Sequence, residues 1–321
     1  MRKIIILPLL LSALITTCVI SFFTSSCTKE SSIRNHDNYN SIADFYYKNG
    51  VAIQHFSLDA STGGTFTTPQ GTVVSIPANL FVDLSGNPAA GEVDIEFKDI
   101  YKKSDMLLSN MPTNFYGRAL KSGGEFFIRA KSNNNLLQIA SLKKIEINQP
   151  ANDEPIDTMM LPFLGVKDSA NGVNWNRDNV GVNFSVESSL SGYIFTLYNF
   201  SNPLDCGTWC NSDNPHYFSA YPSTALTLHG NDDVLAFNTD VFLVFKNINS
   251  MIHVYRGTEN DFPYLYAPGG LECTVVALGI KDGKIFSAFV PITIGSNQTV
   301  NFTLSETTTD DFKAQLNLLN D

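Results

Sequence analysis

The sequence predicts an all-β protein of two β-sandwich domains, preceded by an export signal and a short tether and closed by a short C-terminal helix. Three observations carry that expectation. Charged residues make up only 16% of the chain, against about 25% in ordinary soluble domains. With 23 Phe, 12 Tyr and 21 Gly, such a composition favours strands and turns over helices. Strand-length alternation is plain in GEVDIEFKDI, where Val93, Ile95 and Phe97 alternate with Glu92, Asp94, Glu96 and Lys98. From Gln54 onward turn residues recur at short spacing, and no helix-length periodic segment interrupts the strands until the tail.

The first thirty residues set the protein's location. Arg2 and Lys3 form a short positive region, Ile4 to Phe23 is apolar, and Thr24, Ser25, Ser26 and Cys27 close it with small residues, the layout of an export signal. It resembles a bacterial lipoprotein signal, although Thr24 stands where such signals favour leucine. The resemblance implies cleavage before Cys27, acylation of its thiol and new amino terminus, and a lipid bilayer as the first partner. The competing reading is an uncleaved helix, since about twenty apolar residues span a bilayer. Each buried acyl CH2 is worth about 0.8 kcal/mol, so two or more chains hold the protein at the membrane. The expected place is the outer membrane, on its surface or periplasmic face. Loss of residues 1–26 removes two basic residues and no acid, moving the formal charge from -10 to about -12, and no nucleic-acid partner is implied.

The remaining chain divides by pattern into a tether and short helix (27–49), a first sandwich (50–200) and a second (201–321). Thr28 to Asn40 is polar and reads as tether. Ser41 is positioned to cap a helix running to Lys48, with Ile42, Phe45 and Tyr46 on one side and Gly50 ending it. Strands are expected at 72–76, 91–100, 125–130 and 144–148. Residues 149–181, rich in Asn, Asp, Gly and Pro, read as a long connection. Further strands are expected at 192–198, 225–229, 241–246, 273–280, 284–290 and 299–304. Asp282-Gly283 is the strongest hairpin signal, because both residues suit the positive φ of a type I′ turn. Strands at this spacing argue for immunoglobulin-like sandwiches. From Thr309 the tail is amphipathic, with Phe312, Leu316 and Leu319 at helical spacing.

GGTFTTPQGTVVSIPANLF (63–81) resembles the opening of the β-sandwich of ankyrins and netrin receptors, where a glycine pair and a strand precede a Val-x-Ile-Pro strand. The longer run through DLSGNPAAGEVDIEFKDIYKKSDMLLSNMPT and LKSGGEFFIRA is similar to uncharacterised surface lipoproteins of the Bacteroidota. These likenesses lie in the strand framework, so they imply a fold and carry over no contact residue.

Candidate chemistry is sparse. The thiols of Cys206 and Cys210 flank Gly-Thr-Trp in a segment read as a loop, and outside the cytoplasm a local disulfide is the first reading. Closing so short a loop contributes roughly 2 kcal/mol at most. A zinc site from Cys206, Cys210, His216 and Cys273 is the chemical alternative, at an uncommon spacing; no metal and no cofactor is expected. The same segment gathers Asp205, Trp209, Asn211, Asp213, His216 and Tyr217 as a candidate binding patch of aromatic and amide groups. Its bland counterpart is a stapled loop whose Trp209 plugs the end of a sandwich. Asp157-Thr158-Met159 and Asp168-Ser169-Ala170 resemble the acceptor that Bacteroidota use for O-glycosylation, making Thr158 and Ser169 candidates. Asp83 with Asn87, and Asp232 with Asp233, lack the regular oxygen spacing of a calcium loop. No metalloprotease, nucleophile-elbow, P-loop or dinucleotide motif occurs.

The expected function is a membrane-anchored, non-catalytic binding or structural module for protein or glycan. One alternative is a fimbrial or adhesin subunit exported as a lipoprotein. The other is a surface hydrolase using carboxylates such as Glu92, Asp94 and Glu96, which alternation places on the wet face.

Overall fold

Alternating apolar residues build two antiparallel sheets from the first part of the chain. The computed structural model describes residues 38–151, 155–167, 173–177, 184–198, 208–231 and 238–321. In the first sheet the order is Gln54–Asp59, Glu92–Ile100, Lys121–Ser132, Thr208–Asn214, Leu161–Lys167, Val173–Asn176, with Asn135–Leu136 beside Lys121–Ser132. In the second it is Phe184–Ser188, Gly192–Leu197, Ile145–Pro150, Val73–Ile76, Gly64–Thr67. Val93, Ile95, Phe97, Phe126 and Ile128 from the first sheet meet Val74, Ile76, Ile147 and Phe195 from the second in one core. The expected period-2 alternation therefore holds where one face is buried.

The later strands form two more sheets. Asp261–Pro268, Ser223–Gly230 and Gln298–Phe302 make a three-stranded sheet, its last pair parallel. Met251–Val254, Thr239–Phe245, Glu272–Lys281, Lys284–Thr293 and Ser305–Thr307 make a five-stranded sheet. Leu226, Leu228, Phe262 and Phe302 pack with Val241, Leu243, Phe245 and Val275 in a second core. Asp282 and Gly283 adopt φ of 52° and 78° and turn the tight hairpin between Ile280 and Ile285.

The five-stranded sheet is buried on both faces, which is why VFLVF and VVALGI read as continuous apolar runs. Its other face contributes Phe242, Val244, Val276 and Leu278 to a third core. That core takes Phe45 and Tyr46 from helix Ile42–Asn49, Met106 and Leu107 from helix Lys103–Leu108, and Phe312 and Leu316 from helix Thr309–Asn317. Ile100, Leu120, Phe163 and Trp175 join it from the first sheet and its connections, and residues 37–321 form one unit.

Ser41 caps the first helix as expected, its Oγ accepting from Asp44 N at 3.1 Å. Gly50 ends that helix for another reason. Its φ is -67° rather than left-handed, and a Cβ there would lie 2.9 Å from Tyr46 O and 3.1 Å from Leu108 O. The expected connection 149–181 contains two strands, Leu161–Lys167 and Val173–Asn176. Its apolar island LPFLGV completes the first sheet beside Thr208–Asn214.

Candidate functional site

The segment expected to be a stapled binding loop is largely a strand in the middle of the first sheet. Thr208–Asn214 pairs with Lys121–Ser132 on one side and Leu161–Lys167 on the other. Cys210 points into the first core, wholly buried and free among the described residues, and burial pushes its pKa up. Cys273 is buried in the second core, so the two thiols do not meet. Asp205 and Cys206 lie outside the described residues. Trp209, Asn211 and Asp213 share the opposite face of the strand. Trp209 contacts Phe127, with ring centroids 5.3 Å apart, and Lys98 Nζ sits 5.6 Å from its ring. Asn211 and Asp213 have no exposed surface. His216 is exposed and Tyr217 half-buried beyond the strand end, so the expected patch is divided between interior and surface. The loop reading fails because the inward residues of this strand are polar, and alternation of polar with polar carries no hydrophobic signal.

Those polar residues belong to a buried cluster. Between Asn211 and Asp213 the register with the neighbouring strand shifts: Asn211 faces Glu125 while Asp213 faces Ser122. The extra residue is accommodated at Gly123-Gly124, where Gly124 takes φ of 128°. A bulge of this kind re-aims side chains. Ser122 Oγ donates to Asn211 Oδ1 at 2.9 Å and accepts from Gly124 N at 3.1 Å. Glu125 and Asp213 are wholly buried, and among the described residues none of their four carboxylate oxygens has a hydrogen bond of good geometry, although the Ser122 and Asn211 side chains lie beside Asp213. Burial raises both carboxyls well above their ordinary values, and the charge of Asp213 raises Glu125 further. Without exposed surface, the pair offers no access to a substrate. Asp99, buried in the same sheet, is its counterexample: Thr68, Thr72 and Gln54 all donate to its carboxylate. Glu125 and Ser122 were missed in the sequence, although a glutamate after Gly-Gly and before an apolar run is the trace they leave.

On the surface, a second group comes together. Asn114–Phe115 and Arg118–Ala119 form a hairpin whose turn residues Tyr116 and Gly117 have φ of 47° and 72°. Tyr116 is 71% exposed at its tip, with its ring 4.5 Å from that of Phe115. The Arg118 guanidinium lies 4.5 Å over the ring of Tyr266. Tyr266 and Leu265 are exposed at a bulge of the edge strand Asp261–Pro268, where the register shifts between Thr224 and Leu226. Tyr264, one step along, turns into the core.

The remaining candidates resolve locally. On the outer face of Glu92–Ile100, Glu92 is exposed and Asp94 half-exposed. Glu96 is buried instead of wet, because Arg129 and Lys131 cover its carboxylate. Desolvation alone would raise Glu96, but Lys131 and Arg129 outweigh it and hold the carboxyl below its ordinary value. His55, Asp94 and Glu96 lie close enough to hold an ion, yet both Glu96 oxygens are already taken by these cations. Asp83 spends its carboxylate on Ser85 N, Asn87 N and Asn87 Nδ2, closing a turn. An open cleft of about 500 Å3 beside the last helix contains Lys246 and Glu272, which pair with each other at 2.8 Å.

Thr158 is exposed in a turn that Asp157 organises through Met159 N, Asn214 and Lys121. Ser169, Cys27, Asp232 and Asp233 lie outside the described residues. Among the described residues, no helix is long and apolar enough to cross a membrane. Comparison with protein-family models, with curated proteins and with solved structures finds no match to this chain.

Proposed function

We propose that this chain is an exported lipoprotein, anchored through acylated Cys27, whose two immunoglobulin-like sandwiches act without catalysis as a binding module for a protein or glycan. The Tyr116, Arg118, Leu265 and Tyr266 surface carries the reading. Tyrosine and arginine dominate the energetics of contact surfaces, and an aromatic ring flanked by a guanidinium suits both peptide and sugar faces. Tyr116 adds a specific argument. A two-residue type I′ turn favours Asn, Asp or Gly at its first central position. A bulky residue there costs about 1–2 kcal/mol, and local strain of this kind clusters where function requires it. The N-terminal layout and the likeness of 63–81 to the sandwich of ankyrins and netrin receptors support the same reading.

The test uses intact cells carrying wild-type chain, Cys27→Ala, or Tyr116→Asn with Tyr266→Ala. The reading expects release of Cys27→Ala from the membrane fraction. It also expects a glycan-array or surface-protein binding profile that the double variant loses while staying folded. A double variant with the wild-type profile would sink the contact surface, and unchanged membrane retention of Cys27→Ala would sink the anchor.

A further inference from the structure

Glu125 and Asp213 place two carboxylates inside the protein, and among the described residues no cation pairs with either. Both have zero exposure. Among the described residues no hydrogen bond of good geometry reaches their four oxygens, and the Ser122 and Asn211 side chains beside Asp213 only partly offset its burial. Among the described residues neither forms an ion pair, and the charge that acts on Glu125 is the like charge of Asp213. Leaving buried carboxylates unpaired is among the costliest arrangements a fold can contain, and each such group calls for a specific partner. Asp99 shows that the same sheet satisfies a buried carboxylate where it needs to, with three donors.

Asn211 points to what the partner is. It faces Glu125 across the ladder and lies two residues from Asp213 on the same strand face. Its Oδ1 takes the Ser122 hydroxyl, and its buried Nδ2 lies toward Asp213 without a hydrogen bond of good geometry. The amide oxygen and nitrogen are assigned by their surroundings, and a serine hydroxyl accepts as readily as it donates. With the amide turned over, Ser122 accepts from Nδ2 and the amide oxygen replaces the orphaned donor. The cluster then offers five protein oxygens, two from each carboxylate and one from Asn211, and carries a formal charge of -2 on the carboxylates.

We propose that Glu125, Asp213 and Asn211 bind a hard divalent cation of the calcium class, clamping strand Thr208–Asn214 to strand Lys121–Ser132 at the Gly123-Gly124 bulge. An all-oxygen set without imidazole or thiolate selects hard cations, and calcium takes six to eight oxygens at flexible geometry, so water completes the shell. Magnesium demands near-ideal octahedral geometry and keeps several waters, whereas calcium beside five protein oxygens needs only about one to three. Cys210, the nearest soft ligand along the strand, faces the opposite side, into the first core.

The experiment uses the full chain in detergent, stripped with a chelator and dialysed, then titrated with Ca2+ or Mg2+ in a calorimeter and melted in each. One Ca2+ per chain is expected, with Tm rising by about 5 °C at a hundredfold excess over Kd and Mg2+ giving a much smaller shift. Glu125→Gln with Asp213→Asn should abolish the calcium response, whereas His55→Ala, which alters the separate His55, Asp94 and Glu96 group, should keep it. Should the double variant fail to fold, Tb3+ bound to wild type decides. Tryptophan-sensitised emission displaced by Ca2+ supports the site, given Trp209 two residues from Asn211. Wild type with neither calcium heat nor terbium emission overturns the proposal, as does a calcium response lost in His55→Ala but kept in Glu125→Gln with Asp213→Asn.

Discussion

Gly124 leaves the space that the ring of Tyr101 fills: a Cβ built on Gly124 would lie 2.3 Å from Tyr101 Cε1. The same glycine holds φ of 128°, a conformation closed to other residues at low cost. Tyr101 cannot step aside freely, because its hydroxyl bonds Thr72, which in turn donates to Asp99. Gly124→Ala should therefore combine backbone strain with a clash against an anchored ring. A loss of at least about 3 kcal/mol is expected from strain plus overpacking, read by urea unfolding. A loss under 1 kcal/mol would mean that the bulge relaxes and does not fix Glu125.

The cation-free chain should become less stable as pH rises. Glu125 and Asp213 have folded-state pKa values raised by burial above ordinary values of 4.5 and 3.8. The folded state then holds protons that the unfolded state has released, so their contribution is complete below about pH 4 and is lost as pH climbs through the folded values. In chelator, thermal melts of wild type should fall from pH 4.5 upward more steeply than those of Glu125→Gln with Asp213→Asn. Calcium should oppose the fall, and more strongly at higher pH, because it competes with protons for the same oxygens. Parallel pH profiles of the two proteins would remove the pair as its source.

Asp240 works in the opposite sense. Desolvation pushes its carboxyl up, but His253 and the phenol of Tyr46 outweigh that and hold it below 3.8. Tyr46 donates to Asp240 Oδ2 at 2.8 Å and so ties the first helix to the five-stranded sheet. A depressed carboxyl stabilises the fold above its unfolded value, and that stability is lost as pH falls through the folded value. Tyr46→Phe takes a donor from a half-buried carboxylate, at a cost of about 1 kcal/mol, and should shift the onset of acid unfolding to higher pH. Equal acid midpoints in wild type and variant would show that His253 alone holds Asp240.

What the sequence made legible follows from where hydrophobic contrast exists. Val93, Ile95 and Phe97 announce a strand with one dry face, Asp282-Gly283 announces its hairpin, and Ser41 announces a cap, since each is a local choice with a local cause. Helix Lys103–Leu108 is too short for its period to show, and its apolar residues are buried by partners distant in the chain. Thr208–Asn214 is the larger lesson. Its buried face carries Asn211 and Asp213 instead of apolar residues, so the pattern that marks a loop also marks a strand over a polar interior. Only the pairing with Lys121–Ser132 reveals Glu125 as their neighbour. The surface group was hidden differently, because Tyr116 and Tyr266 are 150 residues apart and meet only through the fold.

Tyr116 provides the sharpest separation of stability from function. Its left-handed φ of 47° and 71% exposure mean that the ring gains little from packing while the backbone is strained. Tyr116→Asn places a residue that tolerates this conformation at the same turn. The folded protein should gain about 1 kcal/mol in denaturant unfolding, while binding to the ligand identified by array or surface screen falls at least tenfold. Tyr116→Gly should stabilise less than Asn, because glycine also widens the unfolded ensemble, and should lose binding equally. Arg118→Lys keeps the charge but gives up the planar stack on Tyr266, so it should weaken binding with little change in stability. If Tyr116→Asn were both less stable and fully able to bind, the ring would be a structural element of the hairpin, and the contact surface would have to be sought elsewhere on the fold.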